Sequence, residues 1–148
     1  MSEQNTAVTM AQIIPGDHIS ITTDTCTEPF WQAAKEHRLT ACQCADCGHF
    51  RMPPRPYCPE CQSKNINWPT LSGEGTVYSF AICHQSPYPD LEHFTYVPVV
   101  VEMADAPGVR FVSNIVGVDT AKVEIGMNVK VDWNPIKDGW VLPIFRPL

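Results

Sequence analysis

The chain has 148 residues, 44% of them apolar, and a formal net charge of −6. Such a length suits one ordinary domain or two small ones sharing a surface, and such an apolar content excludes disorder throughout. The acidic balance argues against a polyanion-binding protein, and no run approaches the roughly 20 apolar residues that span a bilayer, so no membrane segment is expected.

In chain order, residues 1–26 read as a tail. Met1–Asp24 is polar, contains Pro15-Gly16, and is expected to be mobile unless something docks on it. It lacks the basic and apolar regions of a signal peptide. Thr27–Leu39 is expected to hold a short amphipathic helix. Thr27 can cap it, Glu28 and Pro29 suit its first turn, and Lys35, His37 and Arg38 suit its last. Phe30, Ala33, Ala34 and His37 fall on one face with Trp31 beside it, an aromatic end that must bury against its own domain or a partner.

Two cysteine pairs follow, Cys44-Ala45-Asp46-Cys47 and Cys58-Pro59-Glu60-Cys61. A two-residue gap lets both thiolates of a pair converge on one ion, and two such knuckles complete the tetrahedron that Zn²⁺ prefers. Gly48 directly after the first pair permits the tight turn a knuckle needs. Two disulfides in a secreted domain are the alternative reading, and iron is the chemical competitor for the same thiolates. Four cysteine ligands leave no open position, so one structural zinc ion is expected. Cys42, two residues before Cys44, is a candidate substitute ligand by strand alternation, though a small buried thiol is the simpler reading. Thiols set out for a metal, with Cys26, Cys42 and Cys83 left over, point to a reducing cytoplasm. Phe50–Tyr57, with three prolines, should cross extended between the knuckles. Helix and ribbon together span 27–69. The segment Pro29–Trp68 carries five basic and three acidic residues, and four thiolates with one divalent ion would bring it to about neutral.

Residues 70–148 are patterned for β structure. Strands are expected at Thr76–Cys83, Val97–Met103, Val109–Val116, Asn128–Trp133 and Trp140–Phe145, with Asp138-Gly139 as a tight hairpin. Five short strands in that length fit an OB-type Greek-key barrel, with a small open sandwich as the alternative. The predicted class is therefore mostly β: an N-terminal helix, a rubredoxin-like zinc ribbon, then a five-stranded OB-type barrel. The connection His84–Tyr96 is long for a compact domain and bears Tyr88, Phe94 and two histidines, which marks it as a candidate contact surface.

The order of these pieces resembles one family closely. Phe30-Trp31, Cys44–Gly48, Pro53–Cys61 and Gly73–Phe80 carry the resemblance, with Phe111–Gly117, Ile125-Gly126-Met127 and Phe145-Arg146-Pro147. It is to zinc-ribbon-plus-OB-fold proteins, long filed as a domain of unknown function and associated with acyl-CoA metabolism. The resemblance spans about Glu28–Pro147. It implies an accessory subunit of a thiolase-like or lipid-transfer-protein-like catalytic subunit, acting on acyl-CoA thioesters by acyl transfer or retro-aldol cleavage. The chain would be silent alone, work in a hetero-oligomer, and lend part of a CoA or acyl surface. This chain departs from the usual pattern in its long tail and in the extra thiol of Thr40-Ala41-Cys42-Gln43.

The residues agree with a helper role. No Gly-x-Ser-x-Gly elbow, P-loop or His-Glu-x-x-His is present, and no catalytic residue is assigned. Cys83 and His84 are adjacent, but neighbours in a strand point to opposite faces. Arg51 and Arg55 are the candidates for CoA phosphates or an acidic partner patch, because a guanidinium fork suits both. Phe30, Trp31, Tyr88 and Phe94 are the candidate partner anchors. Nucleic-acid binding is the competing function, since ribbons and OB barrels both serve it. The acidic balance sets the expected affinity for single strands at about 10⁻⁴ M or weaker.

Overall fold

The computed structural model describes residues 8–148. Helix α1 (Glu28–Lys35) is shorter than the expected segment. Thr27 makes no side-chain cap; the Asp24 carboxylate instead accepts from the Cys26 and Thr27 amides at 2.9 and 2.8 Å, and from the Thr27 hydroxyl. Phe30, Ala33 and Ala34 are buried as the pattern required. His37 is not on that buried face. It lies past the helix end at φ 58°, is exposed, and stacks on Trp133 at 5.4 Å.

The ribbon has little regular structure. Strand β1 (Gln43–Cys44) pairs antiparallel with β2 (Ile66–Asn67), and the proline-rich crossing between the knuckles forms neither helix nor strand. The barrel holds β3 (Glu74–Phe80), β4 (Val97–Met103), β5 (Arg110–Ile115), β6 (Asn128–Pro135) and β7 (Val141–Pro147). They close in the order β3-β4-β5-β7-β6, with β5 and β7 parallel and the other pairs antiparallel. Closure leaves the barrel itself without an open sheet edge. The mostly β class and the five-stranded OB barrel are as predicted, and the open sandwich is excluded.

Closure depends on Glu74-Gly75-Thr76, which pairs with β4 on one side and β6 on the other. At Gly75 a Cβ would stand 2.5 Å from the Glu102 carbonyl oxygen, so only glycine lets the two backbones approach. Strand β4 alternates buried Val97, Val99, Val101 and Met103 with half-buried residues, and these fill the barrel with Val77, Ile115, Val129 and Phe145. Asp138 and Gly139 both have positive φ, 62° and 77°, as the expected tight turn demands. Phe145 is fully buried where β7 meets both β5 and β6. Phe145→Ala should therefore lower unfolding stability by about 3–5 kcal/mol, read from denaturant melts.

Residues 9–18 do not hang free: they pack along the barrel, and residues 1–7 of the expected tail lie outside the described residues. Ala11 is 4% exposed within the main core, and its amide donates to the Val118 carbonyl at 2.8 Å. What made this stretch look like a tail was its polarity. The docking is mostly through main-chain bonds, which leave no hydrophobic period to read.

Candidate metal centre and apolar cleft

The knuckles bring the Sγ atoms of Cys44, Cys47, Cys58 and Cys61 within 4.8 Å of one another. Cys44 Sγ lies 3.6 Å from Cys61 Sγ, and Cys47 Sγ 3.5 Å from Cys58 Sγ. Zn–S bonds of about 2.3 Å in a tetrahedron need sulfur separations of about 3.8 Å, close to these two distances, so the donor set fits the ion. Each knuckle turns through a left-handed residue, Gly48 at φ 79° in the first and Gln62 at φ 65° in the second. The Gly48 amide donates to the Cys44 carbonyl at 3.0 Å and the Gln62 amide to the Cys58 carbonyl at 2.9 Å, so the two turns match. The second knuckle accepts a side chain where the first uses glycine.

The electrostatics favour a cation. The Cys47 amide, then that of Asp46, holds the Cys44 thiol down to about 6. Cys58 is also lowered, its burial outweighed by the amides of Cys61 and Glu60. Cys47 is pushed up to about 12: the His49 amide lowers it, but desolvation and the neighbouring Cys58, Cys61 and Cys44 thiols prevail. Left to themselves the four thiols would divide protons between low and high partners, whereas a divalent ion holds all four as thiolates. Cys42 stays outside the set. It is fully buried, beneath Arg51, whose amide donates to its carbonyl at 2.8 Å, and its thiol is raised by burial.

Asp46 braces one knuckle on the other. Its carboxylate accepts from the Ser63 hydroxyl and, at 3.0 Å, from Asn65 Nδ2; the Ser63 bond first, then Asn65, depresses its pKa. A depressed carboxyl stabilises the fold above its unfolded pKa of about 4 and loses that contribution as pH falls through the folded value. Asp46→Ala should thus speed metal release to a chelator at pH 7. The difference from the unsubstituted chain should vanish in acid, where both lose metal by thiolate protonation.

Of the two candidate phosphate-binding arginines, Arg51 is buried at 5% exposure, with Nε donating to the Arg55 carbonyl at 2.8 Å. That single Nε bond ties the arginine to the proline-rich crossing, while Nη1 and Nη2 are buried with no hydrogen-bond partner among the described residues, so Arg51 is not displayed on the surface; Arg55 is exposed. Among the anchors, Phe30 and Phe94 are core residues at 8% and 5% exposure. Tyr88 is half-buried and stacks on His18 at 4.2 Å. Only Trp31 is both part-exposed and beside an open apolar surface. His84 meets Thr95 at 3.4 Å and not Cys83, so no thiol–imidazole pair forms there.

That open surface is a cleft of about 470 Å³ between α1, the Met52-Pro53-Pro54 bend, β5 and β7. Phe30, Trp31, Phe111 and Leu142 form its apolar walls, with Asn114 and Arg110 among its few polar lining residues. Phe30 touches Trp31 edge-on at 5.1 Å and Phe111 at 5.8 Å. Sequence reasoning missed Met52, Asn114 and Leu142, because four segments distant in the chain build the cleft. The available signal was that Phe30-Trp31 and Phe111–Asn114 both lie in the stretches carrying the family resemblance.

A rubredoxin-like ribbon with four converging thiolates, followed by an OB barrel, defines the class. Known proteins supply the family. A family model described as "ChsH2, rubredoxin-like zinc ribbon domain" matches residues 31–67, and one described as "ChsH2, C-terminal OB-fold domain" matches residues 68–134. A DUF35 domain-containing scaffold protein of Methanocaldococcus jannaschii is 32% identical over 110 residues, covering 73% of this chain and 77% of that protein. A solved structure described as the Ltp2-ChsH2(DUF35) aldolase superposes with TM-score 0.79 at 37% identity, over 86% of this chain and 98% of that one. A probable enoyl-CoA hydratase alpha subunit of Thermomonospora curvata is 43% identical over 121 residues, 80% of this chain. The chain spans only about a third (36%) of that relative's length. The protein belongs to the ChsH2/DUF35 family of zinc-ribbon and OB-fold proteins. Among its described residues no helix is long and apolar enough to cross a membrane.

Proposed function

We propose that this protein is a non-catalytic accessory subunit of an enzyme complex acting on acyl-CoA thioesters, with one structural zinc ion bound by Cys44, Cys47, Cys58 and Cys61. The observation that carries the reading is the match over nearly the whole length of the ChsH2(DUF35) chain, whose structure is described as an aldolase with Ltp2. Relatives named as scaffold proteins and as a hydratase alpha subunit fit the same role. The partner supplies the nucleophile and base. It is a thiolase-superfamily or lipid-transfer-protein-like subunit, and of acyl transfer and retro-aldol cleavage the aldolase relative favours the second.

The zinc ion, when bound, supplies charge and a fold-holding tetrahedron, with no open position for a substrate. The chain's own residues do the rest. Asp46 fixes the knuckles, Arg51 fixes the crossing, and the crossing walls one side of the cleft. The cleft has the size of a small-molecule site and the apolar lining an acyl chain requires. Arg110 is at its margin and Arg55 is exposed on the ribbon, the arginine now offered for CoA phosphates.

The competing nucleic-acid reading is less favoured by the charges on the barrel's outer face. On the outer β3–β4–β5 face, Arg110 stacks over Tyr78 at 3.8 Å and pairs with Glu102 at 3.1 Å, which sets a carboxylate where a phosphate would have to approach. Isolation of the untagged partner from its native complex tests the proposal. A co-purifying subunit that processes an acyl-CoA is expected, and a nucleic-acid enzyme in its place would overturn it.

A further inference from the structure

Residues 9–18 touch three regions of the barrel: the 117–120 turn, the 84–96 connection and the β6–β7 hairpin. At the near end, Gln12 clasps Thr95 twice: its amide donates to the Thr95 carbonyl at 2.9 Å, and its Oε1 accepts from the Thr95 amide at 3.0 Å. Midway, buried Asn134 at the end of β6 donates from Nδ2 to the Ile14 carbonyl at 3.1 Å. Gly16 then lies flat on the β6–β7 hairpin, where a Cβ would stand 2.8 Å from Ile136 Cα and 2.9 Å from the Pro135 carbonyl oxygen. At the far end, His18 stacks on Tyr88 at 4.2 Å and sets Nε2 3.2 Å from Asp90 Oδ2, while the Tyr88 hydroxyl donates to the His18 carbonyl at 3.2 Å.

The 84–96 connection has little else to hold its tip. Cys83 and Tyr96 exchange main-chain bonds at its base, and Ser86, Tyr88 and Leu91 bond among themselves. Among the described residues, the hydrogen bonds and ion pair from 85–93 to the rest of the chain run to His18.

We propose that residues 9–18 form a strap coupling the β6–β7 hairpin to the 84–96 loop, so that lifting the strap at Gly16 releases the loop at Tyr88. The same β6–β7 hairpin meets α1 through Lys35 over Trp140 at 4.1 Å, and His37, beyond the helix end, stacks on Trp133 at 5.4 Å. Whatever seats on α1 or the hairpin would thus bias the loop, and by linkage whatever holds the loop would hold the strap. This inference rests on the strap contacts alone and stands apart from the accessory-subunit reading.

Amide hydrogen exchange on the whole chain at one pH tests it from both ends. Gly16→Ala forces two backbones apart yet touches no loop residue, and it should speed exchange of amides 85–93 by about 10-fold, with the β4 amides unchanged. Tyr88→Ala removes the stack from the other side and should speed exchange across residues 12–18 by a similar factor. Strap amides that accelerate in Gly16→Ala while the loop stays protected would overturn the coupling. So would a Tyr88→Ala chain with unchanged strap protection, and that arm decides even if Gly16→Ala leaves the strap seated.

Discussion

Cys58→Ser is expected to cost the protein its metal and its ribbon while leaving the barrel folded. Cys58 is fully buried and 3.5 Å from Cys47 Sγ, so a hydroxyl there removes one thiolate and leaves the ion three-coordinate by protein. The ribbon cannot replace that loss from its own resources. Its regular structure is two strands of two residues each, and one of them, Ile66–Asn67, is exposed. Structural zinc sites of this type carry apparent binding energies of about 10–16 kcal/mol, far more than so small a core supplies. The barrel keeps its own core of β4 valines with Ile115, Val129 and Phe145, so its resonances should persist. Elemental analysis should find one zinc per unsubstituted chain and a substoichiometric amount in the variant. Low zinc in the unsubstituted chain, with ribbon folding indifferent to the substitution, would refute the metal assignment; a red chain would indicate iron in its place.

Trp31→Ala should weaken assembly with the catalytic subunit without releasing zinc. Trp31 is half-buried, braced edge-on by Phe30, and lines the cleft between α1 and β5. A tryptophan at a true interface hot spot costs about 2 kcal/mol or more on truncation, about 30-fold in Kd. Phe30→Ala would not separate binding from folding, because Phe30 is core. The comparison is the affinity of each form for the partner by calorimetry, with zinc content as the control. Equal affinities would place the interface elsewhere.

These two residues show what could be read from the chain alone. Aromatic residues at one end of an amphipathic helix look the same whether they pack on their own barrel or on another protein. Phe30 went to the barrel and Trp31 stayed half open, a difference set by Phe111 some eighty positions away. The metal centre was legible because its ligands come in local pairs whose spacing alone makes them converge. Strand β4 was legible to the residue as Val97–Met103, although its alternation is in burial and not in the sequence, where Val99, Val100 and Val101 run together. Strand β3 begins two residues earlier than expected, at Glu74, because Gly75 reads as a turn. Its true reason is the close approach of the Glu102 carbonyl, a contact between strands that no local pattern contains. The burial of Arg51 was hidden for a similar reason: an Nε bond to a carbonyl four residues on leaves no mark in the sequence distinguishing it from a surface arginine.

The most direct test of the account is acyl-CoA turnover measured for this chain alone, for the isolated catalytic subunit, and for the two together at matched concentration. The chain alone should be silent, and the mixture should outrun the isolated partner. Turnover by the chain on its own, or a partner whose rate and stability are unchanged when the chain is added, would contradict the accessory-subunit role.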